Sequence, residues 1–376
     1  MLEHFEEIEQ TAEAFGKSYL APITESVDTE GRFPKEAYNE LKKQGYMGLL
    51  VPKKYGGSGG GCYQHIQVCY HLARFDATTA LCYMMHNTAT AALSIYATPS
   101  QKDEFLPKIA QGQASFALAY SESGSGTHFG LPDIVEQEAG EYRILKGRKS
   151  FVTSAQYADY YLTYTNSCKI KGAKNNWIVP RESEGIVHEE NVWNGLGMRG
   201  NNSKPVQFND VKLPITHLLG KDGQGEAQAG VVAMYFVAGL GAVYSGVGRA
   251  AYDCVFSHIK ERQYTDSSRL SDKELVRIHI ANLYTKAQSQ IALVKQAAKS
   301  FDNGDKDATW QIFASRINAS NLVMEITELA MRLGGGRAYS KLLPLERYLR
   351  DGLAAQVMAP SLDILKIWLS DALLKD

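Results

Sequence analysis

Cysteine is scarce in this chain: 376 residues contain five, Cys62, Cys69, Cys82, Cys168 and Cys254. None forms a CxxC pair, and an odd number argues against a disulfide framework, so the expectation is a reduced, cytoplasmic protein. An excess of one charge is also missing. Lys and Arg number 40 against 41 Asp and Glu, a net charge of -1, which speaks against a nucleic-acid ligand, since that would call for a basic face. The nine histidines form no HExxH or HxH pattern, and His65 and His71 have no carboxylate at helical spacing, so no metal is expected. The longest apolar stretch, GVVAMYFVAGLGAVYSGVG, is broken by five glycines and reads as a buried helix with small residues at its contacts, not a membrane span. MLEHFEEIEQ is acidic from its third position and resembles neither a secretory nor a mitochondrial leader.

With 44% hydrophobic and 22% charged residues, the chain can bury one large core or two to three smaller ones. Its texture changes twice. Residues up to about 113 carry helical patterns, with Pro34 near a helix start, Gly45 at a stop and the glycine-rich loop KKYGGSGGG after it. From Ser115, short runs rich in Val, Ile, Thr, Phe and Tyr (FALAYSES, EYRILKGRKSFVTS, YYLTYTN, NNWIVP, KPVQFNDVKLP) predict an all-β insert. From about Gly225 a period of 3.6 returns in long segments, with a break at Gly304, as in a helical bundle. The expected organisation is α+β: a helical domain over 1–114, a β domain over 115–224 and a helical bundle over 225–376.

Four stretches carry possible chemistry. ALAYSESGSGTHFG (117–130) ends a strand in small and hydroxyl residues, which suits an anion or an aromatic cofactor edge but equally an ordinary Ser/Gly loop. LKGRKSFVTSAQYAD (145–159) reads as a turn followed by a strand with one Phe and two hydroxyls, in isolation a plain hairpin. GLGMRGNNSKPVQFNDVKLP (195–214) offers Arg199 and Ser203 among turn formers. MRLGGGRAYSKLLPLERYLRD (331–351) places a triple glycine between helices, open to close approach by a phosphate or a neighbouring subunit. It has neither the GKS/T ending of a nucleotide-triphosphate loop nor the strand of a Rossmann turn. GGSGG (56–60) fits the letters of a nucleophile elbow, but it lies inside a glycine run and reads as a loop.

In order, these stretches resemble the acyl-CoA dehydrogenase family over nearly the whole chain. KKQGYMGLLVPKKYGGSGG looks like its N-terminal signature. Tyr120 to His128 stands where the family has Thr-Glu-Pro-x-x-Gly-Ser-Asp, Phe151 to Ser154 matches a Trp/Phe-Ile-Thr-Asn strand, and GLGMRGNNS the Gly-x-Arg-x-Ser region. GGGRAY with PLERYLRD matches Gly-Gly-x-Gly-Tyr and Glu-Arg-x-x-Arg-Asp. The resemblance implies a helical N-terminal domain, a β-barrel-like middle domain and a C-terminal four-helix bundle. It implies FAD between the last two, in a homodimer or homotetramer. It places Tyr120, Ser121, Gly126, Thr127, Phe151, Thr153, Arg262, Gly335 and Gly336 at the cofactor and Arg350 at the substrate, an acyl-CoA or related small molecule; His86, in a helix with hardly any polar side chains, reads either as a hydrogen-bonded core histidine or as a residue of the substrate cavity. An electron-transfer partner or flavin reductase would complete the cycle. The chain departs from the family at Arg-x-x-Phe-Gly, which here reads Arg262-Gln-Tyr-Thr265, at His128 for the aspartate and at Ala338 for the last glycine.

The reaction implied is α,β-dehydrogenation, in which a glutamate removes the α-proton. Counting from Arg350-Asp351, the family position of that glutamate falls on Ala359, and the alternative position at the start of the first bundle helix has no carboxylate between Glu226 and Asp253. Replacement candidates are Glu122, His86, His128 and Asp363; Glu122 also matches a structural loop residue of the family. Three functions are weighed. The first is a dehydrogenase with an unorthodox or relocated base. The second is a flavin-dependent monooxygenase on the same scaffold, with FMN as an alternative cofactor. The third is a non-catalytic relative that binds FAD and a thioester.

Overall fold

The computed structural model describes residues 5–128, 130–190 and 193–374. The N-terminal part is helical: α1 (Ile8–Phe15), α2 (Thr24–Glu30), α3 (Lys35–Lys43), α4 (Cys62–Ala73), α5 (Ala77–Tyr96) and α6 (Pro99–Ala110). Local chemistry sets the helix starts. The Asp76 carboxylate accepts the Thr79 N–H at the head of α5, and Thr98 with Gln101 forms a reciprocal capping box ahead of Pro99 in α6. Gln101 also donates to the backbone carbonyls of Thr216 and Leu218, which joins α6 to the far end of the β region.

The middle part is one curled, seven-stranded sheet: β1 (Phe116–Ala119), β2 (Val135–Ala139), β3 (Tyr142–Val152), β4 (Tyr160–Asn166), β5 (Lys174–Pro180), β6 (Ile186–His188) and β7 (Lys204–Pro214). The order is β1-β4-β2-β3-β7-β6, with β5 paired to β4. Its inner face carries Leu145, Tyr161, Trp177, Val206 and Phe208, all buried, as strand alternation requires. LKGRK is not the turn its composition suggested. It runs inside β3, where the register against β7 shifts between Leu145 and Gly147, so the polar run marks a bulge.

The C-terminal part is helical again: α7 (Gly225–Glu261), α8 (Glu274–Asn303), α9 (Ala308–Tyr339), α10 (Leu345–Val357) and α11 (Leu362–Leu373). The triple glycine falls where two helical segments of α9 meet across a kink, with non-helical torsions at Gly335, as expected of a glycine run between helices. By length and composition α7 is long and apolar enough to cross a membrane, yet it forms the buried helix expected from its sequence. In the fold, 72% of its most apolar window is buried. The glycines are contact points: a Cβ at Gly239 would lie 2.5 Å from the Met84 side chain and 2.7 Å from His65, so α7 packs directly on α4 and α5.

Candidate active site

A cavity of about 900 Å³ opens between the middle sheet, α7 and α10. On the sheet side the chain leaves β1 at Ala119 and folds over the cavity as a loop, held from beneath by Glu122. That carboxylate accepts the backbone N–H groups of Asp133 and Ile134 and pairs with Lys149, whose ammonium also donates to the Tyr164 carbonyl. Both side chains are buried. Burial pulls the Lys149 pKa down to about 8 against the raising effect of Glu122. Glu122 touches the cavity, yet its oxygens are committed, so it is not a replacement base.

Six of the expected cofactor residues line this cavity together: Tyr120, Ser121, Gly126, Thr127, Phe151 and Thr153. Tyr120 stacks on Tyr164 at 4.9 Å. The Thr153 and Ser203 hydroxyls lie 2.9 Å apart, and Ser203 is fixed through its N–H to Asn201. Phe151 is 64% exposed at the wall, and the buried Ser150 hydroxyl has no partner among the described residues. An exposed aromatic beside an unpaired hydroxyl and a hydroxyl pair fits a planar cofactor with polar edges. Ser150, Ser203 and Trp193 were not singled out for the cofactor; Ser203 alone carried a signal, through its place in the GLGMRGNNS run.

Three expected cofactor residues lie elsewhere. Arg262, Gly335 and Gly336 are exposed and off this wall; Arg262 packs over the Tyr264 ring instead.

The four proposed proton or substrate groups are corrected by their surroundings. His86 is not on the wall: Met85 is, and one residue along a helix turns the next side chain away. The Phe116 N–H donates to His86 Nδ1 at 3.1 Å, so the proton sits on Nε2, which donates to the Met47 carbonyl at 3.0 Å. Burial lowers its pKa to about 4, so His86 is a neutral tie between α5, β1 and the chain at Met47. His128 is exposed and outside the wall. Asp363 is 90% exposed and pairs with Lys366. Arg350 does reach the wall, but all five of its N–H donors are taken, by both Asp28 oxygens, both Glu346 oxygens and the Leu196 carbonyl. It fastens α10 to α2 and has no donor left for a substrate.

The opposite wall is α10 and the chain after it, through Ala354, Val357, Met358 and Ala359, with Val232, Ala233 and Phe236 from α7. Ala359 and the start of α7, the two positions at which a base was expected, therefore both line the cavity, and both are apolar there. Among the described lining residues the charged ones are Glu122, Arg148 and Arg350, and each is paired. The loop that closes the end of the cavity is pinned by the Met198 N–H on Asp351 at 2.6 Å. Gly197 permits this contact, since a Cβ there would fall 2.3 Å from the Arg350 carbonyl.

A curled sheet between helical layers, with a cavity rimmed by hydroxyls and an aromatic ring, defines a flavin-dependent oxidoreductase of the FAD-binding kind. Family models described as the N-terminal, middle and C-terminal domains of acyl-CoA dehydrogenase match residues 3–113, 117–211 and 232–374. The chain belongs to the acyl-CoA dehydrogenase family. It is 29% identical over 347 residues to the short/branched chain specific acyl-CoA dehydrogenase, mitochondrial, of Bos taurus, covering 92% of this chain and 79% of that protein. It is 28% identical over 362 residues to subunit CarC of the caffeyl-CoA reductase-Etf complex of Acetobacterium woodii, covering 96% and 95%. The structure of butyryl-CoA dehydrogenase from Megasphaera elsdenii superposes with a TM-score of 0.92 at 25% identity, covering 98% of each chain.

Proposed function

We propose that this protein interconverts the saturated and α,β-unsaturated forms of an acyl-CoA thioester without a carboxylate base of its own. The observation that carries the reading is the pairing of a hydroxyl-rimmed cavity with an apolar wall at Ala359. When bound, FAD supplies hydride transfer at the acyl Cβ. Ser121, Ser150, Thr127 and the Thr153–Ser203 pair would hold its polar edges, and Phe151 would cover the ring. Val232, Ala233, Phe236 and Met358 would exclude water from the acyl chain. Among the described wall residues no side chain is free to take the α-proton, so on this reading solvent water is its acceptor and the apolar residues shield only the rest of the chain.

The monooxygenase alternative, and FMN with it, is set aside, because the matched relatives are acyl-CoA dehydrogenases and reductases. Assembly with a second copy is supported by the exposed apolar residues Leu275, Ile278 and Tyr284 on α8 and by Tyr339 and Leu342 beyond the α9 kink. It would also bring Arg262, Gly335 and Gly336 to a neighbour's cofactor. An electron-transferring flavoprotein is the partner that the relative from Acetobacterium woodii suggests.

Anaerobic mixing of the yellow holoprotein with saturated acyl-CoAs, and of the dithionite-reduced form with enoyl-CoAs, tests the reading. Bleaching by the first or recolouring by the second is expected. No redox change with either set would leave the non-catalytic FAD- and thioester-binding reading in its place.

A further inference from the structure

One layer behind the apolar wall lies a buried cation that the site does not use. Arg316, on α9, is fully buried. Its Nη2 donates to the Ala355 carbonyl at 3.2 Å, but among the described residues Nε and Nη1 meet no acceptor. No carboxylate faces it among the described residues. Its nearest electrostatic partner is Tyr244, whose ring centroid lies 4.6 Å from the guanidinium carbon. Burial lowers the Arg316 pKa, and only Tyr244 offsets this. A buried guanidinium with unmatched donors is costly unless something completes it.

The second donor at this spot is equally under-used. The Tyr244 hydroxyl, on α7, is buried and points at the Met358 sulfur at 3.6 Å, and a thioether is a weak acceptor. Met358 is also a wall residue of the cavity, with Ala354 on the preceding turn. The flexible methionine thus stands between the cavity and the Tyr244 hydroxyl, and Arg316 packs on the same tyrosine; methionine side chains move readily.

We propose that Arg316 and Tyr244 form the far end of the substrate site, reached past Met358, and that the acyl chain carries a carboxylate at its distal end. A carboxylate would fill the unmatched guanidinium donors and accept from the tyrosine, giving charge-assisted hydrogen bonds in a site closed to water. A neutral chain would leave them unmatched. The inference rests on the thioester reading above and names the substrate class within it.

The test is calorimetric binding to the FAD-loaded protein at constant ionic strength. Succinyl-, glutaryl- and adipyl-CoA are compared with butyryl-, pentanoyl- and hexanoyl-CoA, and free succinate is a separate arm. The expected result is that one dicarboxylyl thioester binds at least tenfold tighter than its monocarboxylic counterpart, while free succinate at the same concentration does not displace pentanoyl-CoA. R316M should bring that ratio close to one and leave pentanoyl-CoA binding intact. Should R316M not fold, M358F, which puts a bulkier side chain in the way and leaves Arg316 in place, should collapse the same ratio. Equal affinities at every chain length, or a preference untouched by these variants, overturn the inference alone. Free succinate binding in place of the thioester tail overturns it too. Failure of every thioester to bind removes the thioester reading and the inference with it.

Discussion

Thr127 Oγ1 accepts the Ser361 N–H at 2.9 Å, so the loop from the sheet and the chain carrying Ala359 are fastened to each other across the cavity. Position 359 is therefore held at the wall, and what it lacks is a proton acceptor. We expect A359E to accelerate flavin bleaching by a matching acyl-CoA by about 10²- to 10⁴-fold, the usual contribution of a positioned general base. Stopped-flow absorbance of the anaerobic holoprotein reads this directly. A folded, yellow A359E with an unchanged rate would mean that the residue does not face the α-carbon.

His86 is expected to matter for stability and not for catalysis. H86L leaves the Met47 carbonyl and the Phe116 N–H unpaired in the core, a loss of roughly 2 to 5 kcal/mol measurable by urea unfolding. The folded pKa of about 4 lies below the ordinary 6.5, so the unfolded chain binds more protons in between. The stability linked to His86 is complete above pH 6.5 and is lost as the pH falls through 4. H86L should flatten that part of the acid limb. A shifted pH profile of flavin reduction in a milder variant, H86Q, would instead restore His86 as a site residue.

What the sequence made legible was periodicity and punctuation. The breaks at Gly45 and Gly304 and the change from helical to alternating patterns at Ser115 mark the elements that form. The hydroxyls around Thr127 and Thr153 and the blank at Ala359 were legible because they sit at fixed offsets within recognisable runs. Helix phase was not. α5 is buried on nearly every side through Leu93, so no polar stripe distinguishes Met85, at the cavity, from His86, turned away. Long-range partners were not legible either. Arg350 is satisfied by Asp28, 322 positions away, and no local pattern announces it. The same holds for Arg316 and Tyr244, which meet only once α7 and α9 are packed.

Asp351 gives a pH dependence of the opposite sign. It is buried, and burial raises its pKa from 3.8 to about 7, against the lowering effects of the Met198 N–H and Arg347. The folded state therefore keeps a proton that the unfolded chain releases. The contribution is complete below pH 3.8 and is lost as the pH rises through 7. D351N keeps an acceptor for Met198 and cannot ionise. Its stability relative to the wild type should climb between pH 4 and 7 and level off above that. Parallel unfolding curves for the two proteins across this range would show that Asp351 is ionised throughout.

Arg350 separates a tie from a ligand. Replacing it with lysine keeps the charge but loses the planar fork that spans Asp28 and Glu346. Because the guanidinium is partly open to solvent, the cost is discounted to about 1 to 2 kcal/mol of stability. The loosened contact between α10 and α2 should appear as faster hydrogen exchange in both helices and in the loop at Leu196. Acyl-CoA affinity at a temperature well below unfolding should stay within about twofold, since no donor of Arg350 is free to meet the substrate. A tenfold loss of affinity with stability unchanged would make Arg350 a substrate contact and would require its pair with Asp28 to open when the thioester binds.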